Sequence, residues 1–194
     1  APTVKSASFT DYKTLTLTLS EGVVLTKDAD IAKNVTLTDG ANQAITVTAT
    51  LIDDTTVTLV KADGYAQTSA DRTYKYSVAA KTFEDAAGNE LKAVDAATVK
   101  KNTSYANTFA TDVTGVREAT PGPSDAPMAN IPVTSKDQYG QTLGLNASNS
   151  TNIEVAATIK GGSPLVATVD KSNGVINVKG VVPLVKGDVL VLSI

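Results

Sequence analysis

Leu15, Leu17 and Leu19 alternate with Thr14, Thr16 and Thr18, and Ile45, Val47, Ala49 and Leu51 alternate with Thr46, Thr48 and Thr50. A period of two places the apolar side chains on one face and the hydroxyls on the other, the pattern of a strand with one buried side. Val4 to Phe9, Thr56 to Val60 and Thr73 to Val78 read as further strands. Turn chemistry falls between the runs, at Ser20-Glu21-Gly22, Asp39-Gly40, Asp53-Asp54, Asp63-Gly64 and Asp85 to Asn89. Short reversals of this kind join antiparallel neighbours. The pattern changes from Leu91 to Lys101, where Leu91, Val94 and Thr98 stand at helical spacing among Ala and Lys, and a short helix is expected there.

A boundary is expected near Phe109 to Asp112. It is followed by Val113 to Ala119 and by Thr120-Pro-Gly-Pro-Ser-Asp-Ala-Pro127, a stretch that suits neither a helix nor a central strand. Beyond it, Ile131 to Ser135, Ile153 to Ile159, Leu165 to Val169, Val175 to Val178 and Val189 to Ile194 form a second series of short strands. Ser172-Asn173-Gly174 between two of these runs is a strong hairpin signal. The expectation is an all-β chain of two tandem β-sandwich domains, residues 1–110 and 111–194. The second is the shorter, and its final strand is either the closing run Val189 to Ile194 or one cut away.

Composition narrows the chemistry. Of 194 residues 28 are threonine, while there is no His, Cys or Trp. Zinc sites of the Cys/His type, thiol nucleophiles, disulfides and His-based triads are therefore excluded, and oxygen is the only strong metal ligand left. A net charge of −3, with 17 Lys and Arg scattered singly, gives no basic stripe for nucleic acid. No apolar run approaches the roughly 18 residues of a spanning helix, so membrane insertion is not expected. The chain opens on Ala1-Pro2 and its single Met is Met128, which reads as a piece of a longer polypeptide.

Two segments share the form Asp-x-x-Gly-(Asn/Gln)-x-Leu: Asp85 to Leu91 and Asp137 to Leu143. An Asp that accepts backbone N–H bonds, followed three residues later by a Gly free to take positive φ, makes a hairpin corner. The same oxygens suit calcium, which takes six to eight oxygen ligands from Asp, Asn and carbonyls. Asp85, Asn89, Asp137 and, at the junction, Asp112 are the candidate metal ligands, and calcium is the candidate cofactor. Glu21, Glu84, Glu90, Glu118 and Glu154 lie mostly in turn contexts and read as solvated surface acids rather than a glycosidase pair. No nucleophile elbow, phosphate-binding loop or dinucleotide fingerprint occurs, and no enzyme activity is expected.

Leu19-Ser-Glu-Gly-Val23 resembles the Phe-Ser-Glu-x-Val segment of bacterial immunoglobulin-like domains, with Leu19 in place of the common Phe. Tyr74-Lys-Tyr-Ser-Val78, followed by Asp85-Ala-Ala-Gly-Asn89, matches their Tyr-x-Val and Asp-x-x-Gly-Asn pattern in the same order. The second unit resembles a module of surface-layer proteins of Bacillus-type bacteria through Lys136 to Gly140 and Val166 to Val175. The resemblance implies immunoglobulin-like sandwiches in a secreted protein that self-associates with identical subunits. Such a protein tiles the bacterial cell surface as a two-dimensional crystal, commonly with calcium, and is anchored to the cell wall by regions outside this chain. A fold of this class also serves as an adhesin stalk, as a ligand-binding module and as an accessory domain of extracellular polysaccharide-degrading enzymes.

Overall fold

The computed structural model describes residues 1–67, 69–111, 129–144, 156–159, 164–170, 175–179 and 190–193. The chain divides into two units, Ala1–Ser104 and Tyr105–Ile194. In the first unit the strands are β1 (Val4–Phe9), β2 (Thr14–Leu19), β3 (Val23–Leu25), β4 (Val35–Asp39), β5 (Ala44–Ile45), β6 (Thr48–Asp53), β7 (Thr56–Val60), β8 (Arg72–Val78), β9 (Phe83–Asp85) and β10 (Val94–Lys101). One short helix, α1 (Ile31–Asn34), precedes β4 and is capped by the Asp30 side chain, which accepts the Ala32 N–H. In the second unit the described strands are β11 (Ala106–Thr111), β12 (Ala129–Asp137), β13 (Thr142–Leu143), β14 (Ala156–Ile159), β15 (Pro164–Asp170), β16 (Val175–Lys179) and β17 (Leu190–Ser193).

The Leu/Thr alternation of β2 does what its period requires. Leu15, Leu17 and Leu19 are at most 3% exposed, while the threonines between them stay half-buried. Each buried leucine contributes about 1.5–3 kcal/mol of transfer free energy. In the antiparallel sheet β1-β2-β7-β6 the register sets Ser8 opposite Thr16, Thr16 opposite Thr58, and Thr58 opposite Thr50, so a row of hydroxyls crosses the outer face. The inner face meets a second antiparallel sheet, β10-β8-β4-β5, which adds Val35, Leu37, Tyr74, Tyr76, Val78 and Val99 to one shared core. A two-stranded antiparallel sheet, β3-β9, brings in Val23 and Phe83.

An aromatic cluster closes one part of that core. Tyr65 is 1% exposed and stands edge-on to Phe9 and Tyr74, with ring centroids 4.9 and 5.5 Å away. Its hydroxyl donates to the Leu59 carbonyl at 3.3 Å and its N–H to the Tyr12 carbonyl at 2.7 Å. The chain reaches this position through Gly64, whose φ is +76°; a Cβ there would lie 2.7 Å from Tyr12 Cδ2. Only glycine satisfies both the backbone angle and the space.

Two sequence expectations change. Residues 91–101 contain no helix: Val94–Lys101 is strand β10, paired with β8. Of the residues at helical spacing, Leu91 precedes the strand and Thr98 is exposed, and between Val94 and Thr98 lies a β-bulge, because Val94 pairs with Val78 and Ala97 with Tyr76, leaving one extra residue between them. The inserted residue sets the inward-packed Val94 and Ala97 three apart, so the period of two that marks a strand is broken there. The long alternation from Ile45 to Leu51 also proves to be two strands in different sheets, since β5 pairs with β4 while β6 pairs with β7.

The second unit is described as one antiparallel sheet of order β11-β12-β16-β15-β14-β17, with β13 paired to β12. Ile131, Ile176 and Val178 are buried in it. β11 pairs with β12, so residues 106–110, read from the sequence as the end of the first unit, group with the second. The hairpin tip Ser172-Asn173-Gly174 and the proline-containing stretch 120–127 lie outside the described residues; the strands flanking the tip pair with Asp170 opposite Val175.

Candidate functional site

The two Asp-x-x-Gly segments fold into the same loop, each starting on the last residue of a strand. Asp85 Oδ1 accepts the N–H groups of Ala87 and Asn89, both at 2.9 Å. The Gly88 N–H donates to the Asp85 carbonyl, and the Asp85 N–H donates to the Asn89 carbonyl. Asp137 Oδ1 likewise accepts from Tyr139 at 3.0 Å and Gln141 at 2.9 Å, with the same pair of backbone bonds through Gly140. Both glycines have φ of +78°. Leu91 and Leu143, which end the two motifs, are buried and fasten each loop to its own unit.

A third copy escaped the sequence reading. Asp39 Oδ1 accepts from Ala41 at 2.9 Å and Gln43 at 2.8 Å, and the Asn42 N–H donates to the Asp39 carbonyl. Its left-handed position is held by Asn42, with φ +63°, instead of glycine. Asn is the non-glycine residue that tolerates this conformation best, and this substitution hid the motif.

The loops differ at the second carboxylate oxygen. Asp85 Oδ2 accepts from Asn89 Nδ2 at 2.8 Å, so donors surround the whole carboxylate. A cation there would face N–H groups rather than oxygens. Asp137 is 2% exposed, and its Oδ2 is buried with no hydrogen-bond partner, as is Gln141 Oε1 four residues on. Asp85 and Asn89 are thus brought together as a closed turn, Asp137 stands in the other unit with Gln141, and Asp112 lies outside the described residues. Among the described residues no group of three or more acidic side chains gathers as a metal centre.

Glu84 and Glu90, expected as separate surface acids, face one another across an antiparallel bridge. They border a solvent-open cleft of about 460 Å³ shared with Thr26, Asp28 and Lys81. Lys81 Nζ pairs with Glu90 Oε2 at 2.9 Å, which offsets the repulsion of two like charges placed opposite each other. The apolar side chains in the lining are alanines, too small to shield a carboxyl from water or to stack on a sugar ring. Glu118 and Glu154 lie outside the described residues. Lys101 at the end of β10 is fully buried, with Nζ donating to the Ala66 carbonyl at 3.2 Å. It follows Val99 at the inward period that resumes after the bulge, so its burial is a consequence of register.

Several acids hold loops together through N–H and hydroxyl donors. Asn89, chiefly through its side-chain amide and then its backbone N–H, holds the Asp85 carboxyl below the ordinary carboxylate value. The Thr103 N–H and then its hydroxyl do the same for Asp71, and the Thr55 N–H leads for Asp53. These groups bind protons less readily folded than unfolded. Their contribution is therefore present above the unfolded value of 3.8 and is lost as pH falls through the lower folded values. Urea midpoints are expected to be level above about pH 5 and to fall below about pH 4, with a shallower fall in Asp85→Asn.

Among the described residues, no helix is long and apolar enough to cross a membrane. No protein-family model matches the sequence, and no curated protein matches it. Among solved structures, the chain is similar to the N-terminal part of the bacterial S-layer protein SbsC, at 20% identity and a TM-score of 0.44, over 98% of this chain and 43% of that one. It is similar to domains 1–6 of surface layer protein SbsC at the same identity and TM-score, covering 25% of that chain. A third structure, S-layer protein rSbsC(31-844), gives 19% identity and a TM-score of 0.43. The chain spans less than half the length of these structures.

Proposed function

We propose that the chain is a structural segment of a bacterial surface-layer protein, whose immunoglobulin-like modules act as stiff spacers and make lateral contacts in a secreted, self-assembling cell-surface lattice. One observation carries this reading: the residues on which the family resemblance rests do mechanical work. Leu19, Val23, Tyr74, Tyr76 and Val78 fill the core, and Asp85, Asn89 and Asp137 close turns. A chain whose distinguishing residues are spent on rigidity suits a load-bearing role. The test is to concentrate the purified chain and follow its mass by light scattering and its order by negative-stain electron microscopy. Lateral oligomers or ordered sheets are expected. A monodisperse monomer at every concentration, or saturable binding to a glycan panel, would overturn the reading.

We propose further that calcium, the cofactor expected from the composition, acts at Asp137 and not at Asp85, because only Asp137 has an oxygen left over. Calcium at 100 times its dissociation constant would add about 2.7 kcal/mol to stability. The melting temperature is expected to rise with calcium in the parent chain and in Asp85→Ala, and to stay fixed in Asp137→Ala. A flat calorimetric titration to millimolar calcium sinks this part.

A further inference from the structure

The register shifts of the described ladders share one property: each places its extra residue on an edge strand. In the sheet β1-β2-β7-β6 both edges are bulged. Lys5 is the extra residue of β1, where Val4 pairs with Leu19 but Ser6 already pairs with Thr18. Ile52 is the extra residue of β6, where Leu51 pairs with Val57 and Asp53 with Thr56. In the sheet β10-β8-β4-β5 the β10 edge is bulged around Ala96, with φ +48°, whose N–H is taken by Ser77 Oγ at 3.0 Å. The opposite edge, β5, is only two residues long. In the second unit β11 is bulged at Asn107. The inner ladders β2-β7 and β4-β8 run without a shift.

A straight edge strand offers a row of unpaired N–H and C=O groups to any passing strand, and a Thr- and Val-rich chain is full of such strands. A bulge bends the edge, increases its twist and interrupts the spacing an added strand would need. We infer that the bulges at Lys5, Ile52 and Ala96, with the shortness of β5, bar strand addition at the edges of the two four-stranded sheets of the first unit. At those two sheets a second copy of the chain is thereby limited to contacts through side-chain faces and loop ends. The inference deepens the self-association reading and rests on it for the identity of the partner, while the barrier itself is a property of the single chain.

The experiment removes the bulges. Deleting Ile52, deleting Lys5, or deleting both leaves the neighbouring pairs in regular register. Folding is checked by circular dichroism and mass by sedimentation. Expected is a shift from the parent's mass to dimers or larger species at equal concentration, with new hydrogen-exchange protection on β6 or β1. Folded variants that keep the parent's mass would overturn the inference. Should the deletions unfold the chain, the parent is mixed with a synthetic peptide of residues 13–20, which spans β2. Unchanged exchange on β1, β6 and β10 supports the barrier, and added protection on any of them refutes it. A parent that never self-associates, beside variants that do, would end the lattice proposal and leave the barrier standing.

Discussion

Tyr65→Ala is expected to cost the first unit about 3–5 kcal/mol, read as a fall in the urea midpoint at constant slope. The ring is buried, meets Phe9 and Tyr74 edge-on, and is delivered by a glycine that nothing else can replace. Truncation leaves a cavity that neighbours fixed in two sheets cannot close. Tyr65→Phe keeps the packing and loses only the bond to the Leu59 carbonyl, so about 1 kcal/mol is expected. A Tyr65→Ala variant as stable as Tyr65→Phe would show that the aromatic cluster does not hold the core. The same burial pushes the Tyr65 phenol well above its ordinary value of 10.0, and raises Tyr74 and Tyr76 with it. The contribution of these tyrosines to stability is therefore full below about pH 10 and declines above it, because the unfolded phenols ionise while the folded ones do not. Tyr65→Phe should flatten that alkaline decline.

The second large effect belongs to Asp137. Asp137→Ala removes the acceptor of the Tyr139 and Gln141 N–H groups and leaves buried donors without partners, which costs on the order of 2–4 kcal/mol. Asp137→Asn keeps an acceptor at Oδ1 and replaces the unpartnered Oδ2 with a donor, in a loop where Gln141 Oε1 is also unpartnered. The Asn variant should lose less than half as much as the Ala variant. Equal losses would mean that the negative charge, and not the hydrogen bonds, is what the loop requires. Both are measured by urea denaturation of the whole chain, followed on a second-unit probe.

Much of this architecture could be read from spacing, and the failures have a common cause. Thr14 to Leu19 and Thr73 to Val78 announced themselves because nothing interrupts their period, and the structure places their apolar residues in the core. Residues 91–101 misled because an edge bulge shifts the period by one, a change that depends on the neighbouring strand and not on local sequence. The sheet change between Ile45 and Thr48 was invisible for a related reason, since the alternation continues while the partner changes. At the candidate site, Asp85 and Asp137 were legible as turn formers from their glycines. Asp39 was legible as a turn with Gly40 but not as a copy of the same loop, because Asn42 performs the task of the motif's glycine. The pairing of Glu84 with Glu90 needed the hairpin register, which no motif encodes.

The hydroxyl row from Ser8 through Thr16 and Thr58 to Thr50 has a consequence for the conditions the protein can tolerate. Charged surfaces change character with their medium: salt screens them over about 10 Å at 0.1 M, and acid or alkali discharges them. A band of threonine and serine has no counter-ions to exchange and no proton to gain or lose between acid and alkaline water. Its charge is the same in a dilute stream as in brine, namely none, while the charged groups elsewhere on the molecule respond to their surroundings.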